Sequence, residues 1–217
     1  MEVVPSPYFL LLMALHGSLL ITSTAAGSKL FALPFGLSAS ATVLSYMCTF
    51  VILDTIAELY GRRYSRLVIN LGLLGMAVSV AYFKLAIALP PAEFWRHQSA
   101  IESILGSSWR IWLGGWIAYI LSQHLDLWSF LALKDRSFIA GNSIAFRAWV
   151  SILIGQLIDT VIFMVIAFYG EFSLGPAIVG QYLVKLIFVT LAAPLVPFGV
   201  WIGKRMEARL LSRRSGN

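Results

Sequence analysis

The sequence predicts an all-α, polytopic membrane protein, a bundle of six transmembrane helices, on three observations. Of its 217 residues, 59% are hydrophobic and only 12% are Asp, Glu, Lys or Arg, about half the charged fraction of an average soluble domain. The mean hydropathy of +0.83 also excludes a disordered chain, because disordered segments are polar and rich in charge. Finally, the apolar residues form six stretches long enough to cross a bilayer, which needs about 20 residues per helix.

The predicted helices span residues 8–28, 37–60, 67–89, 109–133, 146–169 and 177–203. Turn-forming or charged residues separate them, at 33–36, 61–63, 90–91, 134–136 and 170–176. Because these helices use most of the chain, we expect residues 1–217 to form a single integral membrane domain. The longest connection, 92–108, holds apolar residues that suggest a short amphipathic segment at the membrane interface.

Basic residues are distributed unequally between the two sides of this predicted bundle. Eleven of the sixteen lie on the side of the 60–66 loop, the 134–147 loop and the C-terminus. Because Lys and Arg accumulate in cytoplasmic loops, both termini are predicted to be cytoplasmic. The end of the first helix, 24–27, weakly resembles a signal-peptidase site. Cleavage is the less favoured alternative, since no basic residue precedes the apolar run.

Several ionisable residues are predicted to lie at membrane depth, where their insertion costs several kcal/mol and marks candidate functional sites. Asp54 and Glu58 are four residues apart and share one face of the second helix, with Arg62 as a candidate partner for Glu58. On the fifth helix lies Asp159, for which Lys185 on the sixth helix is the expected cation.

Polar and aromatic side chains follow one face of the fourth helix within an arc of about 100°. They are Trp109, Trp112, Trp116, Tyr119, Gln123, Asp126 and Phe130. The fifth helix repeats the order Gln, Asp, Phe in Gln156, Asp159 and Phe163, with Trp149 on the side of Gln156. We therefore predict a polar cavity lined by helices two, four, five and six and walled by aromatic rings. Such a cavity suits a small, flat, partly polar ligand.

Four segments resemble motifs of the queuosine precursor transporter family, which is grouped with vitamin uptake transporters. Residues 54–61 resemble its D-x-x-x-E-x-Y-G motif, and residues 118–126 resemble A-Y-x-x-S-Q-x-x-D. Residues 147–163 resemble R-x-x-x-S followed by Q-L-I-D-T-x-x-F, and residues 182–185 resemble Y-x-x-K. The similarity runs from about Leu30 to Trp201. Two departures bear on substrate choice: Thr24 and Trp149 stand where the family often has Asn.

The resemblance implies an importer of 7-deazaguanine compounds in the bacterial inner membrane, such as 7-cyano- or 7-aminomethyl-7-deazaguanine. Asp159 or Asp126, with its neighbouring Gln, is expected to accept the ring N–H and the exocyclic amine of the guanine-like edge. Asp54 and Glu58 would complete or gate the site. The substrate-binding candidates are Asp54, Glu58, Trp116, Tyr119, Gln123, Asp126, Trp149, Gln156, Asp159, Phe163 and Lys185. No catalytic residue, metal ligand or cofactor is expected.

Two other functions stay open at this point. A substrate-binding subunit of an energy-coupling-factor importer would also have about six helices, and the chain has no P-loop of its own. An intramembrane enzyme is less favoured, because neither G-x-S-x-G nor H-E-x-x-H occurs. The net charge of +6 is assigned to membrane topology and not to nucleic-acid binding. The small residues Gly72 and Gly75 are compatible with a homo-oligomer within the lipid bilayer.

Overall fold

The computed structural model describes residues 6–26, 29–32, 38–106, 109–135, 143–170 and 174–215. Its helices are α1 (Pro7–Ala26), α2 (Thr42–Ala88), α3 (Gln98–Leu105), α4 (Trp109–Asp135), α5 (Ile144–Phe168), α6 (Leu174–Ala192) and α7 (Leu195–Ser215). Two three-residue strands, β1 (Leu30–Ala32) and β2 (Ser38–Ser40), pair in antiparallel fashion between α1 and α2. The long apolar helices confirm the predicted class, a helical polytopic membrane protein.

Helix α2 folds back on itself at Gly61. Its 47 residues would extend about 70 Å at 1.5 Å per residue, roughly twice the thickness of the bilayer core. Two contacts require a reversal: Gln123 donates to Thr49, while Tyr119, one turn away on α4, donates to the carbonyl of Ile69. Residues 42–60 and 62–88 are therefore two arms of a hairpin, called here the first arm and the second arm.

The reversal depends on the absence of a side chain at Gly61. Its φ of 77° and ψ of −178° define a conformation that is essentially restricted to glycine. We expect Gly61→Ala to lower the free energy of unfolding by about 1–3 kcal/mol, measured by thermal denaturation in detergent. Gly75→Ala in the second arm is the control, because the added Cβ meets nothing within 4 Å and alanine favours the helix. Equal stability of the two variants would contradict this role for Gly61.

Within the part of the chain that the structure describes, four segments are long and apolar enough to cross a membrane, namely Pro7–Ala26, Thr42–Ala88, Ile144–Phe168 and Ala177–Arg209. The hairpin in α2 supplies two crossings from one of them. Helix α4, with 27 residues, is also long enough but carries charged residues along its length, and it packs mainly against α5. The total of six crossings stays a prediction.

Helix boundaries differ from the sequence expectation in several places. The expected third helix, 67–89, begins directly after Gly61 as the second arm, and the last helix extends to Ser215 instead of ending at 203. The expected second helix began at 37, but Ser38–Ser40 form strand β2 and α2 begins at Thr42. The expected sixth helix, 177–203, is divided into α6 and α7 by a turn at Ala193 and Pro194. Proline explains the break, because it lacks a backbone N–H and its ring clashes with the carbonyl four residues earlier.

The main core lies where the first arm of α2 meets α4 and α5, around Phe50, Phe130 and Ile152, all fully buried. A smaller cluster joins α1 to the reversal and contains Phe9 and Tyr60. Large apolar side chains on the outer faces are exposed to the lipid side. The polar residues described next are thus enclosed within the helical bundle.

Candidate functional site

Asp159 lies in a buried polar cluster contributed by four helices. Lys185 Nζ on α6 donates to Asp159 Oδ2 at 2.6 Å, and the Tyr46 hydroxyl on the first arm donates to Oδ1 at 2.8 Å. The Ser122 hydroxyl on α4 donates to the same Oδ1 at 3.4 Å. The expected pairing of Lys185 with Asp159 is confirmed. Because both partners are buried, each charge offsets much of the desolvation penalty of the other.

A second acidic pair, Asp54 and Asp126, lies one helical turn beyond Ser122 along α4. Both residues are fully buried, and their four carboxyl oxygens accept no hydrogen bond from the described residues. The two carboxyl groups interact electrostatically, and Ser151 on α5 lies beside both. Two acids so placed in a membrane protein need a compensating cation or a proton.

Helix α5 approaches the acidic pair closely at Gly155. A Cβ placed on this glycine would lie 3.2 Å from Asp126 Cβ, 3.2 Å from the carbonyl oxygen of Ser122 and 3.3 Å from the ring of Phe50. The space next to Asp126 on this side is therefore smaller than a methyl group requires. No ligand atom can be accommodated between Gly155 and Asp126 without a movement of the helices.

Glu58 forms the third cluster, toward the basic end of the bundle. Its Oε2 is 3.0 Å from Arg147 Nη2 and 3.2 Å from Lys134 Nζ. The prediction that Arg62 pairs with Glu58 is wrong, because the chain reverses at Gly61 and Arg62 lies exposed on the second arm.

From sequence, Arg147 is expected to be one of the basic residues that only fix the membrane topology, but its contacts differ from that role. Its side chain is 2% exposed, its guanidinium lies 4.9 Å from the ring centre of Phe130, and it interacts electrostatically with Asp54. Its Nε and Nη1 have no hydrogen-bond partner among the described residues. Arg147 is thus an internal cation of the bundle.

The two predicted amide residues are fully buried but differ in their contacts. Gln123 Nε2 donates to Thr49 Oγ1 at 3.1 Å, which joins α4 to the first arm. Gln156 has no partner for either amide atom within the described ranges. An unpartnered buried amide is unfavourable, so Gln156 offers both a donor and an acceptor to a ligand.

The predicted aromatic residues do not all lie together. Tyr119 faces α1 and the second arm, where its hydroxyl contacts His16 Nε2 at 3.1 Å and the carbonyl of Ile69 at 3.0 Å. Trp149 donates from its indole to Thr190 Oγ1 on α6. Trp116 is half-buried at the edge of the main core, and Phe163 packs edge-to-face on Phe168.

Sequence reasoning did not select Tyr46 as a site residue, although it lies four residues before Phe50 and eight before Asp54. This spacing of four places all three on one face of a helix, so the signal was present. Ser122, Arg147 and Ser151 occur in the motifs that resemble the family, but they were not selected either. All four contribute polar groups to the clusters described above.

A bundle of apolar helices that encloses acids, amides and internal cations is the arrangement of a membrane transporter for a small solute. The described residues form a closed state, since Asp54, Asp126 and Asp159 are buried completely or nearly so. A solute would therefore reach them only when the helices move apart.

Comparison with known proteins also indicates a membrane transporter. A family model described as "Putative vitamin uptake transporter" matches residues 40–199, and the chain belongs to this family. All three clusters lie within the matched region. A "Probable queuosine precursor transporter" of Bacillus subtilis (strain 168) is 29% identical over 163 residues, which cover 74% of this chain and 71% of that protein. No solved structure matches the chain significantly. The protein is thus a multi-pass membrane transporter and not an enzyme, and the family resemblance of its motifs is confirmed.

Proposed function

We propose that this transporter imports a 7-deazaguanine precursor of queuosine, such as 7-cyano- or 7-aminomethyl-7-deazaguanine, and binds it at Asp159. The name of the Bacillus subtilis relative supports the substrate class. The observation that carries the site is the buried Asp159 carboxylate, whose two oxygens each accept a hydrogen bond from a different helix. Asp126 was an equal candidate from sequence, but its close packing against Gly155 favours Asp159.

The hydrogen bonds of Asp159 match those that a guanine-like edge requires. Such an edge presents a ring N–H and an exocyclic amine side by side, and one carboxylate accepts both. These two donors would replace Lys185 and Tyr46 one for one. Lys185, once released, would donate to the adjacent carbonyl oxygen of the heterocycle. The Tyr46 hydroxyl would turn to Ser122 Oγ, which lies 3.5 Å away. The exchange would thus avoid the cost of about 1–3 kcal/mol for each buried group left unpaired.

Gln156 would supply the remaining specificity. It lies three residues before Asp159 on α5, and its buried amide has a free donor and a free acceptor among the described residues. The ring of Tyr46 borders the same cluster and lies edge-to-face on Phe50, with the ring centroids 5.4 Å apart, which is typical of aromatic pairs. An aromatic wall of this kind would pack on the face of a flat heterocycle.

The charge bias supports an orientation in the bacterial inner membrane with both termini in the cytoplasm. In that orientation the cluster of Glu58, Arg147 and Lys134 lies toward the cytoplasm, and Asp159 lies nearer the middle of the bundle. A substrate entering from outside would meet Asp159 first and would leave after the Glu58 cluster opens.

Ligand-dependent thermal stabilisation of the detergent-purified protein tests this proposal. We expect 7-cyano- and 7-aminomethyl-7-deazaguanine to raise the midpoint of unfolding, since a ligand at 100 times its Kd stabilises the folded state by about 2.7 kcal/mol. Adenine and 7-deazahypoxanthine are matched controls, because the first lacks the ring N–H and the second lacks the exocyclic amine. Stabilisation by vitamins alone, or equally by adenine, would contradict the proposal.

A further inference from the structure

The charges of the three clusters described above do not balance. Among the described side chains of the three clusters there are four acids, Asp54, Glu58, Asp126 and Asp159, against three cations, Lys134, Arg147 and Lys185. Lys185 is engaged by Asp159, while Lys134 and Arg147 both bind Glu58. One negative charge of the core is therefore uncompensated, which is strongly unfavourable at membrane depth.

The imbalance is located at the pair of Asp54 and Asp126. Their four oxygens are the fully buried carboxylate oxygens that accept no hydrogen bond within the described ranges. Arg147 is the cation that interacts electrostatically with Asp54, and its buried Nε and Nη1 likewise have no hydrogen-bond partner among the described residues. The remaining neighbours are Ser151 on α5 and Glu58 on the same arm as Asp54. A single positive charge on this pair would neutralise the core.

The space beside Asp54 and Asp126 restricts the size of the ion that can supply this positive charge. Both residues are fully buried, and Gly155 packs against Asp126 Cβ next to the Phe50 ring, so a substrate-sized cation has no room beside the pair. We propose that Asp54 and Asp126 together hold one proton, and that this pair is the site of the ion that crosses the membrane with the substrate. The claim that this proton drives import of a deazaguanine rests on the function proposed above. The claim that the two acids share a proton does not.

The proposed coupling follows from the cost of moving charge through a bilayer. With the proton bound, the core is neutral and the helices rearrange without exposing a net charge to lipid. After the rearrangement the proton leaves to water on the other side, and the negative charge that returns to the pair is then stabilised by that water. One proton binds and one proton is released, and no bond of the substrate forms or breaks.

Infrared spectroscopy of the purified protein, without any substrate, tests whether Asp54 and Asp126 hold a proton. We expect wild type at neutral pH to show the carbonyl stretch of a protonated carboxyl group. We expect the band to disappear in Asp126→Asn and in Asp54→Asn, because either change leaves three acids against three cations. Glu102→Gln removes an exposed acid on α3 and should keep the band. Absence of the band in wild type, or its persistence in both variants, would overturn the proposal.

Transport into liposomes that contain a trapped pH-sensitive dye tests the coupling. Inward flux of 7-cyano-7-deazaguanine should acidify the lumen in wild type and in Glu102→Gln. The ratio of uptake with and without an imposed proton gradient should fall to unity in Asp126→Asn and Asp54→Asn. Flux without acidification, or flux that follows a sodium gradient, would overturn the coupling role. Absence of any deazaguanine flux would instead contradict the proposed substrate, and the infrared result would still decide the shared proton.

Discussion

Asp159→Asn is expected to abolish uptake, with at least about a hundredfold loss, because it would remove the two charge-assisted hydrogen bonds that we propose to the substrate, each worth about 1.5–3 kcal/mol. The same change leaves Lys185 buried without its counterion. Removing one partner of a buried ion pair typically destabilises a protein by about 3–5 kcal/mol. Reduced uptake by this variant alone would thus have two explanations. Radiolabelled uptake should be measured together with thermal stability.

The double variant Asp159→Asn with Lys185→Gln separates these explanations. It removes both charges of the pair, so we expect stability to recover most of the loss seen in the single variant. Uptake should stay abolished, since Asn cannot accept two hydrogen bonds from the guanine-like edge as a carboxylate does. Transport at the wild-type rate by the double variant would show that Asp159 does not bind the substrate.

Arg147→Gln is expected to give the largest loss of stability among changes outside the substrate cluster. Arg147 is buried between Glu58, Asp54 and Phe130, so its removal leaves acids in the core without their cation. We expect the free energy of unfolding to fall by about 3–5 kcal/mol, measured by denaturation in detergent.

Lys134→Gln is the matched control for Arg147→Gln. Lys134 binds the same Glu58 oxygen, but its side chain is 42% exposed, so we expect a loss of only about 0–1 kcal/mol. Equal losses in the two variants would contradict the distinction between an internal cation and an exposed one. Combining Arg147→Gln with Glu58→Gln should restore part of the stability, because it also removes the acid that Arg147 binds.

The fold class and the principal ion pair were predictable from sequence for the same physical reason. Lipid excludes unpaired charge, so an acid within an apolar stretch indicates a cation on a neighbouring helix, and Lys185 was the available one for Asp159. The shared face of Asp54 and Glu58 followed from helical periodicity alone. The break at Pro194 could also have been predicted from the sequence, but the apolar run on both sides of this proline favoured a single helix.

Partners that depend on how helices face each other were not predictable. Arg62 is close to Glu58 in sequence, yet the reversal at Gly61 places it on the other arm, while Arg147 reaches Glu58 from α5. Counting basic residues by side of the membrane assigned Arg147 to topology, because such a count contains no information about burial. Tyr119 shares a helical face with Asp126, but its hydroxyl contacts His16 on α1.

Reconstitution of the chain as the only protein in liposomes tests the central claim most directly. The measurement is uptake of radiolabelled 7-cyano-7-deazaguanine by wild type, with the Asp159→Asn, Lys185→Gln double variant as the folded but inactive reference. We expect saturable uptake by wild type that unlabelled deazaguanine suppresses and adenine does not, and no uptake by the double variant. Failure of the wild-type chain to move deazaguanine without other proteins would contradict transport by this chain alone and favour a subunit of a larger importer.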